Sequence, residues 1–427
     1  MKFVVYRDDA YKDSELPSFG SVPIHWEIVP LCSITTLKSI TNVVNEELLS
    51  VYLDKGVIRF DDVTEKRTNV TSLDLSKYQL VEEGDFVLNN QQAWRGSVGV
   101  SIYRGIVSPA YLVLKLSPKV DAKFANYFFR NSAMVSQYLI NSKGVGTIQR
   151  NLYWQHLKRS DVVLPPREEQ IEIAEFLNQK TAEIDQAIAI KEQQIALLNE
   201  RKQIVIQKAV TQGLDPNVTM KDSGVEWIGQ IPEHWEIIRS KFLFTQRKEN
   251  SRKDDVQLSA TQAYGVIPQE EYEKRTGKSV VKISLHLDKR KRVHLNDFVI
   301  SMRSFQGGLE RAWAEGCIRS SYVVLKPLKP IDPDYYGYLF KTPMYIKALQ
   351  NTSNFIRDGQ DLNFGNFSQV DLFIVPLSEQ KQIVEYIKSQ LGDFEKHLEL
   401  LNQQIEKLKE YKTTLINDAV TGKIKVA

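Results

Sequence analysis

The chain repeats one plan, and the repeated unit is about half of its length. Residues 12–28 read KDSELPSFGSVPIHWEI, and residues 221–237 read KDSGVEWIGQIPEHWEI. Residues 166–214 and 376–424 also align with each other without a gap. Their offset is 210 residues, compared with 209 residues for the first pair. A repeat of this size is far longer than a solenoid unit, so it predicts two similar structural units, each large enough to bury its own core.

The stretches between the matched segments, roughly 29–160 and 238–370, agree poorly residue by residue but share an outline. Gly84-Asp85-Phe86-Val87-Leu88 in the first corresponds to Asn296-Asp297-Phe298-Val299-Ile300 in the second. Short β-branched and aromatic runs separated by Gly, Asn and Pro predict the strands of a mixed domain. The two domains therefore share a framework and differ in the content where a specificity would lie.

The matched C-terminal segments predict long helices. Pro165-Pro166 followed by Arg-Glu-Glu-Gln is typical of a helix start, and the run that follows contains no Pro or Gly as far as Thr211. An apolar seam at alternating steps of four and three residues occurs in both copies. Its positions are Ile184, Ile188, Lys191, Ile195, Leu198, Lys202, Val205 and Ala209 in the first copy, and Phe394, Leu398, Leu401, Ile405, Leu408, Lys412, Leu415 and Ala419 in the second.

The lysines of this seam favour an antiparallel helix pair. Lys202 and Lys412 occupy the same layer of the two copies, so a parallel, in-register pair would place two ammonium groups side by side. From Ala182 to Ala209 the helix would cover roughly 42 Å, somewhat more than one DNA turn of about 34 Å. The pair either simply holds two domains together or sets a distance between them.

These patterns predict an α+β fold with a pseudo-two-fold internal repeat, in which two mixed domains are separated and joined by two long antiparallel helices that form a coiled coil. The expected segments are a first domain, a first helical region, a second domain and a second helical region, at residues 1–165, 166–214, 215–375 and 376–427. Two distant cysteines, a charged N-terminus and the lack of a long apolar run predict a reduced, cytoplasmic protein without a membrane segment.

Arginine is distributed unevenly, although the net charge of +3 indicates no particular partner. Of the 20 arginines, 18 lie in the two mixed domains, and residues 274–292 hold eight basic side chains against one acid. Arginine is the side chain suited to bidentate phosphate and guanine contacts. Such basic runs are more often solvated faces than binding sites, so this pattern alone leaves both interpretations open.

Polar loops after the Asp-Phe-Val strands supply candidate base contacts, because Asn and Gln can pair with adenine and Arg with guanine. Ordinary polar turns that satisfy their own backbone remain the alternative for any single residue. The candidates are Asn89, Asn90, Gln91, Gln92, Arg95, Gln149, Arg150, Arg290, Arg292, Arg303, Ser304, Gln306, Arg357 and Gln360. His25-Trp26 and His234-Trp235 are shared by both copies and are better explained as framework packing.

No catalytic or metal-binding pattern is evident. The sequence contains no Asn/Asp-Pro-Pro-Tyr motif for amino methylation and no Gly-x-Gly-x-x-Gly nucleotide loop, and Gly277-Lys278-Ser279 lacks the first glycine of a phosphate loop because residue 272 is tyrosine. The six histidines show no metal-ligand spacing. We expect neither a cofactor nor a metal in this chain.

Taken together, the motifs resemble a known family. Lys-Asp-Ser-Gly-x-x-Trp-Ile-Gly-x-Ile-Pro-x-His-Trp-Glu at 221–236, its counterpart at 12–27 and the two Pro-x-x-Glu-Gln-x-x-Ile helix starts are similar to those of the specificity subunit of Type I restriction–modification systems. The resemblance covers the whole chain. The first copy departs from it by having Glu15-Leu16-Pro17-Ser18-Phe19 where the second has Gly224-Val225-Glu226-Trp227-Ile228, so the first turn is expected to differ in shape.

The resemblance implies a non-catalytic, prokaryotic subunit with two target recognition domains. Each domain would read one half of an asymmetric bipartite site in double-stranded DNA, and the helices would set the spacer and dock two modification subunits. Those partners would bind S-adenosylmethionine and methylate a flipped adenine, and a restriction subunit could join them. The alternatives are a duplicated coiled-coil scaffold that does not read DNA, and a self-contained nuclease or methyltransferase, which the missing motifs disfavour.

Overall fold

The computed structural model describes residues 10–53, 55–62, 74–144, 150–280, 289–352 and 362–426. The chain divides into two compact units, one made of residues 1–191 with 402–427 and the other of residues 192–401. Each unit contains one mixed domain, the N-terminal half of one long helix and the C-terminal half of the other. The predicted segments gave each long helix a region of its own, whereas the compact units divide both helices.

The first domain contains short strands and helices. Its strands are β1 (Tyr11–Asp13), β2 (Ser21–Pro23), β3 (Glu27–Pro30), β4 (Thr35–Lys38), β5 (Leu49–Tyr52), β6 (Gly56–Arg59), β7 (Gln79–Val81), β8 (Phe86–Asn89), β9 (Val98–Val100), β10 (Gly105–Val107), β11 (Tyr111–Leu116), β12 (Ser142–Lys143), β13 (Asn151–Leu152) and β14 (Asp161–Leu164). Its helices are α1 (Leu31–Ile34), α2 (Ala122–Arg130), α3 (Ser132–Ile140) and α4 (Trp154–Leu157), and the long helix α5 (Arg167–Gln212) follows.

The second domain repeats this order. Its strands are β15 (Met220–Asp222), β16 (Gln230–Pro232), β17 (Glu236–Arg239), β18 (Phe244–Gln246), β19 (Leu258–Thr261), β20 (Gly265–Pro268), β21 (Lys291–Val293), β22 (Phe298–Ile300), β23 (Glu310–Arg311), β24 (Gly316–Ile318), β25 (Val323–Pro327) and β26 (Asp371–Ile374). Its helices are α6 (Gln269–Thr276), α7 (Ser304–Gly307), α8 (Pro333–Leu339), α9 (Pro343–Asn351) and α10 (Phe364–Gln369), and the long helix α11 (Leu377–Val420) follows.

The two domains have the same sheet topology, which confirms the predicted internal repeat of a mixed fold. The central sheet is antiparallel with strand order β4-β11-β8-β9 in the first domain and β18-β25-β22-β23 in the second. The smaller pairs also correspond, since β5–β6, β7–β10 and β3–β14 match β19–β20, β21–β24 and β17–β26. The apolar strand runs supply the core, as shown by Phe86 and Phe298, which are fully buried at equivalent positions.

The repeated Asp-Phe motif is a framework element. Asp85 and Asp297 are 4% and 2% exposed, and each carboxylate accepts a hydrogen bond from a cation at the end of an edge strand, from Lys38 of β4 at 2.5 Å and from Arg247, which follows β18, at 2.7 Å. A buried carboxylate requires such a partner because desolvation would otherwise disfavour its charged form. The turn before each aspartate is left-handed, with φ values of 86° at Gly84 and 67° at Asn296. Glycine and asparagine are the residues that tolerate this conformation best.

The N-terminal turn corrects one expectation, because it has the same shape in both copies. Glu15 has φ 57° and Gly224 has φ 69°, and the following amide donates to the hydroxyl of Ser14 at 3.2 Å and of Ser223 at 3.1 Å. The prediction that the first turn differs was therefore wrong. The surrounding hydrogen bonds hold a glutamate in a left-handed conformation that usually favours glycine.

The long helices run antiparallel where they meet in the first unit. Lys412 donates to both carboxylate oxygens of Asp185 at 2.7 Å, and Lys191 donates to the side-chain oxygen of Gln404 at 2.6 Å. The contact therefore advances along α5 while it recedes along α11. The predicted seam positions of both helices are all buried or half-buried. Lys412 is neutralised by an acid of the other helix, which agrees with the argument against a parallel pair.

In both copies, the start of a long helix is attached to its domain by a buried glutamine. Gln170 is 0% exposed; its amide group donates to the carbonyls of Lys119 and Pro165 at 3.0 and 2.9 Å, and its oxygen accepts from the amide of Asp121 at 2.8 Å. Gln380, which is 2% exposed, repeats the arrangement with the carbonyl of Val375 and the amide of Asp332. These glutamines lock the N-terminus of each helix to the loop that precedes α2 or α8.

The neighbouring glutamates join the repeated N-terminal hairpins to the same helix starts. Glu169 contacts His25 at 2.8 Å, and Glu379 contacts His234 at 2.9 Å and accepts from the indole of Trp235 at 3.1 Å. Trp26 and Trp235 are 1% and 0% exposed. The sequence motifs shared by the two copies therefore meet in space, and their residues act as framework.

The end of the other long helix completes each of these junctions. Val420 packs in the core that contains Trp26, and Val210 packs in the core that contains Trp235. A left-handed glycine follows each helix, although the two are not at aligned positions: Gly213 with φ 75° comes directly after α5, and Gly422 with φ 74° lies two residues after α11. A Cβ atom at residue 422 would lie 2.4 Å from Pro23, so this position also requires glycine for space.

We predict that Gln380→Leu destabilises the chain by about 2–4 kcal/mol, because it leaves the buried amide of Asp332 and the carbonyl of Val375 without their partner. Urea unfolding followed by tryptophan fluorescence would measure the change. Gln193→Leu, at an exposed position of α5, should change stability by less than about 0.5 kcal/mol. Equal effects of the two substitutions would contradict the role given to Gln380.

Candidate nucleic-acid interface

The loop between β8 and β9 carries most of the candidate residues of the first domain. The amide of Gln92 donates to the carbonyl of Asn89 at 3.0 Å, and Gly96 closes the turn with φ 99°. The side-chain oxygen of Asn89 accepts from the amide of Gln91 at 3.1 Å, so that part of Asn89 supports the loop itself. The side chain of Gln91 is exposed, which leaves its amide available to a ligand.

Trp94 organises the cations of this loop. The guanidinium carbons of Arg95 and Arg150 lie 5.6 and 5.7 Å from the centre of its indole ring, and the indole nitrogen donates to the carbonyl of Gln91 at 3.0 Å. The carbonyl of Asn90 accepts from the amide of Leu152 at 3.0 Å, which ties the loop to β13. Cation–π contacts of this kind hold two positive charges together on one surface. Such a pair of guanidinium groups is suited to bind a phosphate or a guanine.

An aromatic cleft, which the sequence did not predict, lies next to the same loop. It has a volume of about 540 Å³ and is lined by Asn89, Gln91, Gln92 and Arg95 together with aromatic side chains. The aromatic residues are Tyr52, Phe60, Tyr78 and Tyr111. Burial raises the pKa of Tyr111, so its hydroxyl stays protonated. These residues come from separate strands and turns, and no local sequence signal indicates that they meet beside the loop.

The equivalent loop of the second domain presents different side chains on the same backbone plan. Ser304 is 1% exposed, and its hydroxyl accepts from the amide of Ser301 at 2.9 Å. Arg303 and Gln306 are exposed. Gly308 has φ 74°, and a Cβ there would lie 2.0 Å from the carbonyl of Phe340, so the loop packs too closely for another residue. Arg303 occupies the position of Gln91, third after the equivalent strand residue in each domain.

Three candidates, Arg290, Arg292 and Ser304, are buried and therefore do not contribute side chains to this surface. Arg290 is 5% exposed and donates to Gln257 at 2.7 Å, while Arg292 is 9% exposed and lies 3.3 Å from the carboxylate of Asp255. Ser304 is buried and stabilises its own turn. For the two arginines, the error came from treating 274–292 as one basic face, whereas both side chains are buried and are held by Gln257 and Asp255 of a segment distant in sequence.

Residues 239–253 hold six basic side chains against Glu249, and two of the six, Arg239 and Arg247, are paired with acids of the same domain. Arg247 contacts Asp297 and Glu249, and His294 contacts Glu249 at 2.8 Å. The hydrogen bond from His294, together with Arg247, lowers the pKa of Glu249 to about 2. Counting basic residues along the sequence therefore overestimates the charge that these segments can offer to a ligand.

Three further candidates, Gln149, Arg357 and Gln360, lie outside the described residues. Within the described part of the chain, no group of three or more His, Cys, Asp or Glu side chains could hold a metal ion. None of the described helices combines the length and the apolar character that a membrane span needs.

Comparison with solved structures supports the fold. The HsdS subunit of Thermoanaerobacter tengcongensis is 14% identical and has a TM-score of 0.52, with 94% of this chain and 98% of that chain covered. A chain from a study of complex assembly and conformational transition of the type I R-M system is also 14% identical, with a TM-score of 0.60 and coverage of 93% and 98%.

Sequence comparison identifies the family. The family model described as "Type I restriction modification DNA specificity domain" matches residues 23–200 and again residues 232–410. Two similar proteins come from Methanocaldococcus jannaschii: the putative type I restriction enzyme MjaX specificity subunit, 23% identical over 99% of this chain and 98% of that protein, and the type I restriction enzyme MjaVIII specificity subunit, 24% identical over 95% and 94%. The chain therefore belongs to the Type I restriction–modification specificity subunits and carries two copies of their DNA specificity domain.

Proposed function

We propose that each domain reads one half of a bipartite site in double-stranded DNA, as a non-catalytic component of a modification complex. The observation that carries the proposal is the pair of equivalent loops after β8 and β22. Both are closed by a left-handed glycine, and they present an exposed glutamine in one domain and an exposed arginine in the other. Glutamine suits adenine and arginine suits guanine, so one framework would hold two unlike base contacts.

The second part of the proposal concerns the long helices, which would set the spacer between the half-sites and dock two modification subunits. At 46 and 44 residues, α5 and α11 are each long enough to separate two recognition elements by more than one turn of DNA. In the second unit, Leu197 and Ile204 on α5 are 64% and 47% exposed, and Leu400 on α11 is 51% exposed. Leu197 and Ile204 are seven residues apart and therefore lie on one face of α5.

In this proposal the catalytic steps belong to the partner subunits and not to this chain. Modification subunits would bind S-adenosylmethionine and methylate adenine, and restriction subunits could join the complex. The function is tested by selecting random duplexes with the full chain and its modification subunit, and sequencing those retained. Two short fixed sequences separated by a constant unspecified spacer are expected. If no duplex is preferred, the alternative of a coiled-coil scaffold that does not read DNA remains. Methylation by this chain alone would favour the alternative of a self-contained enzyme.

Gln91→Ala and Arg303→Ala form a reciprocal pair of tests for base reading. Each substitution should relax the preference at one half-site by about 1–3 kcal/mol and leave the other half-site unchanged, because each side chain belongs to a different domain. Binding to duplexes with single base changes would measure this. Arg239→Ala should preserve both preferences, since its guanidinium is occupied by Asp371 and the carbonyl of Gln369. A uniform loss on all duplexes would make Arg303 a phosphate contact instead.

Leu197→Asp tests the docking surface. We expect at least a tenfold weaker association with the modification subunit, since an interface that buries this leucine loses roughly 1.5–3 kcal/mol and also buries a charge. Gln193→Asp, an exposed position on the same helix, should have little effect. Analytical ultracentrifugation of the mixed subunits would measure both variants. Normal assembly of Leu197→Asp would exclude this face of α5 as the docking site.

A further inference from the structure

The aromatic cleft beside the loop after β8 contains four half-buried rings, those of Tyr52, Phe60, Tyr78 and Tyr111. Alternation along β5 turns Leu49 and Val51 into the core and leaves Tyr52 on the other face of the strand. The volume of about 540 Å³ lies within the range of about 300–1,000 Å³ that is usual for small-molecule sites. A single flat ring system can therefore enter this cleft and contact aromatic side chains.

The edge of the cleft offers neutral hydrogen-bonding groups. The amide side chains of Asn89, Gln91 and Gln92 line it together with several serines. An amide can both donate and accept, and aromatic rings stack on the faces of other flat rings. A flat, uncharged ligand with donors and acceptors along its edge suits this combination, and a nucleobase has that chemistry.

The second domain shows that the fold does not require these rings. The hairpins β5–β6 and β19–β20 have the same register, so Thr261 ends β19 where Tyr52 ends β5. Gln269 follows β20 where Phe60 follows β6, and it is 7% exposed. The same backbone frame thus carries a threonine and a buried glutamine at two of the four positions.

A third ring is replaced by a cation that is bonded within its own domain. Arg290 directly precedes β21 as Tyr78 directly precedes β7, and these strands pair in the same register with β24 and β10. Arg290 is 5% exposed and donates to the side chain of Gln257 at 2.7 Å. The fourth ring, Tyr111, corresponds to Tyr322, since both carbonyls accept from the first side chain of the matching strand. Half-exposed rings that the fold does not need are explained by a ligand that covers them.

We propose that the aromatic cleft binds a nucleobase that is turned out of the duplex at the half-site of the first domain. The inference rests on the proposed function and deepens it, because the cleft and the loop proposed to contact the bases share four residues. These are Asn89, Gln91, Gln92 and Arg95. Stacking on aromatic side chains offsets the cost of unstacking the base. Since three of the rings are replaced in the second domain, the displacement occurs at one half-site only.

The charge of the lining favours a base of DNA over a free nucleotide. A free nucleotide brings its phosphate to wherever its base binds, and that phosphate needs cations close to the cleft. Among the described residues that line the cleft, Arg95 is the one charged side chain. A base turned out of a duplex leaves its phosphates in the DNA backbone, where the rest of the domain can contact them.

The test is an abasic scan of a duplex that the full chain selects together with its modification subunit. Each nucleotide of both half-sites, on both strands, is replaced in turn by an abasic residue, and binding is measured. At one base pair, loss of the base that enters the cleft should weaken binding by about fivefold or more, because its stacking is lost. Loss of the opposite base should tighten binding by about threefold or more, because the cost of unpairing is removed.

Tyr52→Thr, which introduces the residue of the second domain, should abolish this tightening. Tyr264→Thr, at a half-buried aromatic position of the second domain outside the cleft, should leave it unchanged. A base pair opened by the modification subunit would also respond to abasic residues, but its response would not depend on Tyr52. If Tyr52→Thr impairs folding, as judged by circular dichroism, Tyr52→Leu replaces it and should give the same loss, since it keeps an apolar side chain without a ring.

The inference is overturned if no base pair shows this response, or if the response persists in the Tyr52 variant. Equilibrium dialysis against the four nucleoside monophosphates, without DNA, tests the other source of a base. Binding that depends on Tyr52, with no response in the abasic scan, would assign the cleft to a free nucleotide and overturn the inference. A preferred bipartite duplex without the response would refute this site alone, whereas the lack of any preferred duplex would refute the proposed function with it.

Discussion

The structure depends on a junction that is built twice. In each copy, the glutamate at the start of one long helix contacts a histidine of the N-terminal hairpin, and the end of the other long helix packs in the core that contains the buried tryptophan next to that histidine. One domain is thereby fixed to both helices at once. Because the start of one helix and the end of the other share a junction, an antiparallel course of the helices follows from the same contacts.

The two copies agree in sequence at the junction and differ in the loops that carry exposed side chains, and the structure gives a reason for both. The junction residues are buried or hydrogen-bonded and therefore cannot vary freely. The loops after β8 and β22 satisfy their backbones through a buried turn and a left-handed glycine, which leaves their exposed side chains free to differ. In our proposal these differences set two unlike half-sites.

Much of the fold could be predicted from the sequence, because repeats and helical periodicity are local patterns. α5 and α11 each begin one residue after the start of the predicted helical region, and the seam lysines correctly indicated an antiparallel pair. Charge was less informative. Arg290 and Arg292 looked like surface cations, but both are buried, and Asp255 on a distant segment pairs with Arg292.

The candidate site shows the same limit. The exposed side chains of Gln91, Arg95, Arg303 and Gln306 could be predicted because they lie in loops next to recognisable strands. The tyrosines of the adjoining cleft and the stacking of Arg150 on Trp94 could not, since residues far apart in sequence form them.

The central claim is that one framework holds two interchangeable recognition domains, and a chimaera tests it most directly. The amide of Leu31 donates to the carbonyl of Ser160 at 2.9 Å, and the amide of Ser240 donates to that of Val370 at 3.1 Å, so these equivalent bonds mark matched exchange points. Residues 31–160 would replace residues 240–370, and the duplexes bound with the modification subunit would be sequenced. The account predicts that the half-site of the first domain occurs twice. Retention of two unlike half-sites, or loss of all preference by a folded chimaera, would contradict it.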